Sequence, residues 1–211
     1  HTPPARRLLF ANYALERDLA PAAVEAGRGR GRPPRVVYQG SLSANGSHYD
    51  LRDHFSDIAG SGLPLDVYPN REAAAYHELA ARTPGLRVMA TEEPAALLRR
   101  LPAYDVGWTS FNTGLNAAHL DTALPNKAFE YLASGLPIAV GAHRALERLV
   151  AEEGVGVVVE RPGDLRAALE ETDLGALRAR VLERRHRFTV EGHIGALVEL
   201  YRATAGSPVP A

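Results

Sequence analysis

The segment Leu124–Val140, LPNKAFEYLASGLPIAV, constrains this chain more than any other. Pro125 presets φ, and Asn126 suits a turn or the cap of a helix. Lys127–Ala133 reads as a short helix with Phe129, Leu132 and Ala133 on one face. Gly135 stands where a helix end favours a left-handed residue. Leu136–Val140 is then an apolar run of the kind a parallel sheet buries on both faces. The helix N-terminus presents unpaired N–H groups and a positive dipole end, which suit an anion. Lys127 adds a point charge matched to phosphate. Glu130, one turn further on the same face, can accept hydrogen bonds from a sugar diol. The same parts also serve as plain scaffolding in any parallel α/β protein, and both readings stay open on this segment alone.

Around this segment the chain alternates. Strands are expected at Val36–Gln39, Leu65–Tyr68, Leu86–Ala90, Tyr104–Trp108, Leu136–Val140 and Val155–Val159. Helices are expected at His48–Ala59, Ala73–Ala81, Pro94–Leu101, Lys127–Ala133, Arg144–Glu153, Leu165–Glu171, Leu174–His186 and Gly192–Ala203. Short apolar strands joined by helical crossovers imply a doubly wound, parallel α/β sheet with right-handed connections, a Rossmann-like fold. Ligands of such sheets bind beyond the C-terminal strand ends. The loops there are Gly40–Ser47, Pro69–Arg71, Thr91–Glu93, the long polar loop Thr109–Ala123 and Gly141–His143. Residues 1–34 differ from the rest. Arg7–Phe10 reads as a short strand and Leu15–Val24 as a helical patch. A Gly-, Arg- and Pro-rich linker follows at Gly27–Pro34, its Arg side chains either solvated or an anion patch.

Composition removes several function classes. The net charge of −1 gives no footing for nucleic acid. The absence of Cys removes disulfides, thiolate metal sites and thiol nucleophiles together, and fits a cytoplasmic setting. Eight His are present without an HExxH or any other ligand spacing, so no metal is expected. No GxSxG elbow, P-loop or GxGxxG occurs. The loop Gly40–Ser47, GSLSANGS, can still bring amides and hydroxyls close to a phosphate. Asp121 reads as a possible base or a turn residue, and Asp105 as structural.

Taken together these residues resemble the GT-B glycosyltransferases of the GT4 type (group 1). LPNKAFEYLASGLPIAV is similar to that family's donor-site signature, P-N-K-x-x-E-Y-x-A-x-G-x-P-V. VVYQGSLS resembles the first strand and phosphate loop of its C-terminal domain. VGVVVE, FTVEGHIGALVELY and ARRLLFANYALERD follow the family's order. The resemblance implies the C-terminal half of a GT-B fold, with residues 1–34 as linker and exit from an absent N-terminal acceptor domain, and residues 35–211 as the donor-binding domain. It implies a nucleoside-diphosphate sugar such as a UDP-sugar as substrate, no cofactor, and retaining transfer to an acceptor in polysaccharide or related biosynthesis. The partners implied are donor, acceptor and the N-terminal domain, with a homodimer possible and membrane attachment only through the missing half.

The resemblance also assigns roles. Glu130 would hold the donor ribose, and Leu124, Pro125, Asn126 and Lys127 the diphosphate, with Lys127 and Glu130 the catalytic pair. Gly40 and Ser41 would line the phosphate side, and Thr91 and Glu92 the base. Two positions depart from the family. Thr122 stands where many members carry the first Glu of E-x7-E, which contacts the transferred sugar. The basic pair after the first strand is missing, leaving His48 and Arg52, of which Arg52 is the candidate cation. A non-catalytic binding or assembly module on the same fold therefore stays open as the alternative.

Overall fold

The computed structural model describes residues 7–21, 32–114 and 116–205. Six strands form one wholly parallel sheet: β1 (Val36–Gly40), β2 (Leu65–Pro69), β3 (Leu86–Val88), β4 (Val106–Thr109), β5 (Ile138–Gly141) and β6 (Gly156–Val159). Their order across the sheet is β3-β2-β1-β4-β5-β6. The helices are α1 (Arg52–Gly60), α2 (Ala74–Arg82), α3 (Pro94–Arg100), α4 (Ala117–Leu120), α5 (Asn126–Ala133), α6 (Arg144–Glu153), α7 (Leu165–Glu170), α8 (Leu174–Arg184) and α9 (Ile194–Ala205). This is the doubly wound α/β architecture the alternation implies.

Strand alternation divides the core. One face of the sheet sends Val37, Ile138 and Val140 to Leu97, Tyr131 and Leu132, from α3 and α5. The other sends Val36, Tyr38, Val67, Val106 and Trp108 to Phe55, Ile58 and Leu165, from α1 and α7. The chain reverses its direction of growth between β1 and β4, the switch point where open sheets bind ligands. β1 pairs with β2 along all of Val36–Gly40 but with β4 only at Val36 and Val37. Beyond Val37 the two central strands part and leave a crevice, roofed by α5.

Several boundaries differ from the sequence reading. Arg7–Phe10 forms no strand; Leu9 is 80% exposed, with no partner strand beside it among the described residues. The segment is instead held by Tyr13, stacked on His193 at 4.0 Å and edge-on to Phe129 at 5.1 Å, and by a parallel bridge from Ala14 to Thr189. Ala14 and Leu19 are buried in the core cluster that also holds Leu97 and Phe129. Only Glu16–Asp18 of the helical patch is a helical turn, because Pro21 pushes the residues before it toward extended backbone. The rest of that patch from residue 22 and linker residues 27–31 lie outside the described residues. Arg32 donates to Asp105 at 3.0 and 3.3 Å, an ion pair rather than an anion patch. The helix expected from His48 starts at Arg52, and the polar loop 109–123 contains α4. On α9, Ile194, Val198 and Tyr201 remain exposed.

Gly107 on β4 lets the Tyr131 ring of α5 lie directly on the strand; an added Cβ would overlap that ring. Overpacking of this kind costs about 2–3 kcal/mol. Urea unfolding of Gly107→Ala is expected to show that loss, whereas Gly60→Ala, with open space around its Cβ, stays within about 1 kcal/mol of the parent.

Candidate functional site

The crevice between β1 and α5 is a cavity of about 440 Å³. Its floor is the end of β1. Gly40 has φ +126°, a value an L side chain rarely adopts, and a Cβ there would come within 3.3 Å of Lys127 Nζ. The bare backbone at Gly40 therefore makes room for the lysine. Ser41 follows, its carbonyl accepting from Tyr38 OH at 2.8 Å and its Oγ accepting from Asn70 Nδ2 at 3.0 Å.

The roof is the N-terminus of α5. Pro125 is extended there, with φ −73° and ψ 148°, and no side chain caps the first turn. Asn126 is not the cap; its Oδ1 accepts from Asn12 Nδ2 at 2.8 Å, which ties the N-terminal segment to the site. Amide groups of the first turn are thus left without a side-chain acceptor.

Between floor and roof sits Lys127, buried, with Nζ 3.9 Å from the centre of the Tyr38 ring. Nζ has no hydrogen-bond partner among the described residues. Burial pushes the ammonium down to about 7, against the opposing pull of Glu130. Burial likewise raises the Glu130 carboxyl, with Lys127 pulling it back. Glu130 Oε2 accepts from Gln39 Nε2 at 2.6 Å, so one carboxylate oxygen is fixed. Gln39 is itself buried in β1. The remaining wall is largely apolar and aromatic: Tyr49, Tyr68, Leu97, Leu98, Phe111 and Leu124, with His48 and His119 among them.

Of the residues singled out in the sequence, Gly40, Ser41, Glu92, Leu124, Pro125, Asn126, Lys127 and Glu130 line this cavity. Arg52, Thr91 and Thr122 do not. Arg52 is committed to Asp50 through two hydrogen bonds, Nε at 2.8 Å and an NH2 group at 2.7 Å. Those bonds lower the Asp50 carboxyl, the hydrogen bond from Arg52 being the main cause. Thr122 donates to the His119 carbonyl at 2.8 Å, and Asp121 lies 3.4 Å from Arg144. Glu92 reaches the cavity rim but pairs with Arg100 at 3.0 Å. The sequence reading missed Gln39, Asn70, Tyr49, Tyr68, Phe111 and His119. Gln39 had a visible signal, a lone amide ending an apolar strand.

A buried lysine able to take up a proton, first-turn amides and a carboxylate fixed one helical turn away can together hold an anion and an adjacent pair of hydroxyls. Solved structures with the same chain path share a type. Sucrose-phosphate synthase from Thermosynechococcus elongatus superposes with a TM-score of 0.59 at 16% identity, over 92% of this chain and 52% of that one. AviGT4, a glycosyltransferase involved in avilamycin A biosynthesis, gives 0.61 at 16% identity, over 92% and 58%. An O-GlcNAc transferase mutant from Thermobaculum terrenum gives 0.56 at 16% identity, over 88% and 38%. The chain has the fold of a GT-B glycosyltransferase domain. It spans about half the length of the first two GT-B structures. The sequence matches no protein-family model and none of the curated proteins.

The buried lysine of this GT-B-like fold has a consequence for stability. Between about pH 7 and the ordinary lysine value of 10.5, the unfolded chain holds a proton that folded Lys127 has released. Stability contributed by this group therefore rises with pH across that window, with a slope approaching about 1.4 kcal/mol per pH unit. Urea unfolding of the parent against Lys127→Met between pH 6.5 and 9.5 is expected to show this slope in the difference, with the variant gaining its largest relative advantage at the acid end.

Proposed function

We propose that this chain is the nucleotide-sugar-binding domain of a GT-B glycosyltransferase, and that it transfers a sugar, with retention, from a nucleoside diphosphate to an acceptor held by a second domain. The observation that carries the reading is the Lys127–Glu130–Gln39 arrangement at the parting of β1 and β4. Glu130, steadied by Gln39, takes the ribose hydroxyls. The diphosphate lies against Gly40, Ser41 and the turn Leu124-Pro125-Asn126, facing the amides of α5. Glu92, at the cavity rim, is the residue of the expected base side that lines the crevice; Thr91 and Thr122 lie outside its lining and take no part in this reading.

Mechanistically, negative charge grows on the diphosphate as the glycosidic bond breaks. Helix amides already in place, and the Lys127 ammonium that the bound diphosphate restores, stabilise that charge, and this is where such sites gain most of their rate. Because Arg52 is occupied by Asp50, the Lys127 charge carries this role on the present chain. In an assembled enzyme, Lys127→Ala lowers turnover, whereas Glu130→Gln acts chiefly on donor affinity.

The pairing of Arg52 also favours a second reading, a non-catalytic module on the same fold that associates through apolar surface such as Ile194, Val198 and Tyr201. Calorimetric titration with UDP and GDP separates the two. Donor binding predicts that Glu130→Ala weakens the preferred nucleotide about tenfold or more, equivalent to about 1.4 kcal/mol. It also predicts net proton uptake above pH 7.5, because the anion restores the Lys127 proton, and hence affinity that falls between pH 7.5 and 9. Binding indifferent to Glu130 and to pH contradicts the donor reading. Absence of binding together with stable self-association supports the module.

A further inference from the structure

The crevice has two ends, and charge is shared unevenly between them. Among the described residues, its charged lining side chains are Lys127, Glu130 and Glu92. Lys127 and Glu130 stand on α5 over the end of β1, and Glu92 follows β3, on the β2 side of β1. The end toward β4 is lined instead by His48, Tyr49, Phe111, His119, Leu120 and Ala123, with no carboxylate, ammonium or guanidinium among them. The acids next to these residues in sequence are committed elsewhere, Asp50 to Arg52 at 2.7 Å and Asp121 to Arg144 at 3.4 Å.

The rings at this end are held in place. His48 and Tyr49 have ring centres 4.0 Å apart, and Phe111 lies 6.2 and 6.4 Å from them. Hydrogen bonds stitch together the two loops that carry them. The Asn112 amide donates to the His48 carbonyl at 3.1 Å, and Asn112 Nδ2 to the Asp50 carbonyl at 3.1 Å. The Tyr49 carbonyl accepts from the Ser43 amide at 3.0 Å and from Tyr76 OH at 3.2 Å. Phe111 is buried, whereas His48 and Tyr49 are half-buried and keep surface open. Such rings offer flat apolar faces to C–H groups, and the phenol and imidazoles exchange hydrogen bonds with hydroxyls. Neither a carboxylate nor an ammonium finds a fixed opposite charge there, so desolvating either would be costly.

We propose that the β4 end of the crevice takes the transferred sugar and selects an uncharged hexose, seated with a C–H face on Tyr49 and His48, over a hexuronic acid. The placement rests on the donor reading: with the ribose at Glu130, the diphosphate at Gly40 and α5, and the base toward Glu92, this end is what remains for the sugar. The selectivity rests on the uneven lining.

Calorimetry at about pH 7.5, where the Lys127 proton is readily restored, compares donors that differ only at C6 of the sugar. The pairs are UDP-glucose with UDP-glucuronate, UDP-galactose with UDP-galacturonate, and GDP-mannose with GDP-mannuronate. With the base that the chain prefers, the hexuronate is expected to bind about tenfold or more weakly than its hexose. Tyr49→Ala weakens the hexose form about fivefold and leaves free UDP or GDP within about twofold. His48→Ala is the second variant, and nucleotide binding retained by either variant shows that it is folded. Three results overturn the proposal while the donor reading stands: hexuronates bound as tightly as hexoses, free nucleotide bound but no nucleotide sugar, or variants that both leave the hexose form unchanged or weaken the free nucleotide equally. Failure of UDP and GDP alike to bind defeats the donor reading, and the proposal falls with it.

Discussion

An ammonium group buried beneath an aromatic ring, with no hydrogen bond to hold it, is the constraint on which the rest of this site depends. Burying a cation unpaired is costly, and the fold tolerates Lys127 by letting it shed its proton and by surrounding it with weak compensation. The Tyr38 ring supplies a cation–π face, and Glu130 supplies a nearby charge. Gly40 supplies space, since any other residue would both strain the backbone and crowd Nζ. An interior arranged this way holds charge capacity in reserve, which the proposed donor role assigns to a diphosphate.

The scaffold explains how that reserve is kept open. A 3-2-1-4-5-6 sheet must part its two central strands at the switch point, and here the ladder between β1 and β4 stops after Val37. Gln39 and Gly40 are thereby released toward α5 rather than toward β4. Tyr131, lying on Gly107 and accepting from the Gln39 amide at 2.9 Å, fixes how closely α5 approaches the sheet. The same helix thus carries a packing face, through Tyr131 and Leu132, and a face toward the crevice, through Lys127 and Glu130.

Much of this was legible in the sequence. The turn, helix and strand of Leu124–Val140 announced α5 and β5, because Pro, Gly and apolar runs act locally. The alternation of strands and crossovers announced the sheet. Arg52 was not legible: its charge satisfies Asp50 in a turn whose geometry depends on the Gly46 amide meeting the same carboxylate. Nor was the partnership of Asn12 with Asn126, or of Tyr13 with His193, which joins residues far apart in the chain. The strand expected at Arg7–Phe10 had a suitable composition, but a strand needs a partner edge, and none lies beside it among the described residues.

The central claim is that Lys127 is neutral when the crevice is free and charged when an anion occupies it. A 13Cε chemical-shift titration of Lys127, with and without UDP, tests this directly. The account predicts a midpoint near about 7 in the free chain, moving up by about one unit or more on binding. A midpoint at the ordinary lysine value of 10.5 that the nucleotide leaves in place would contradict it.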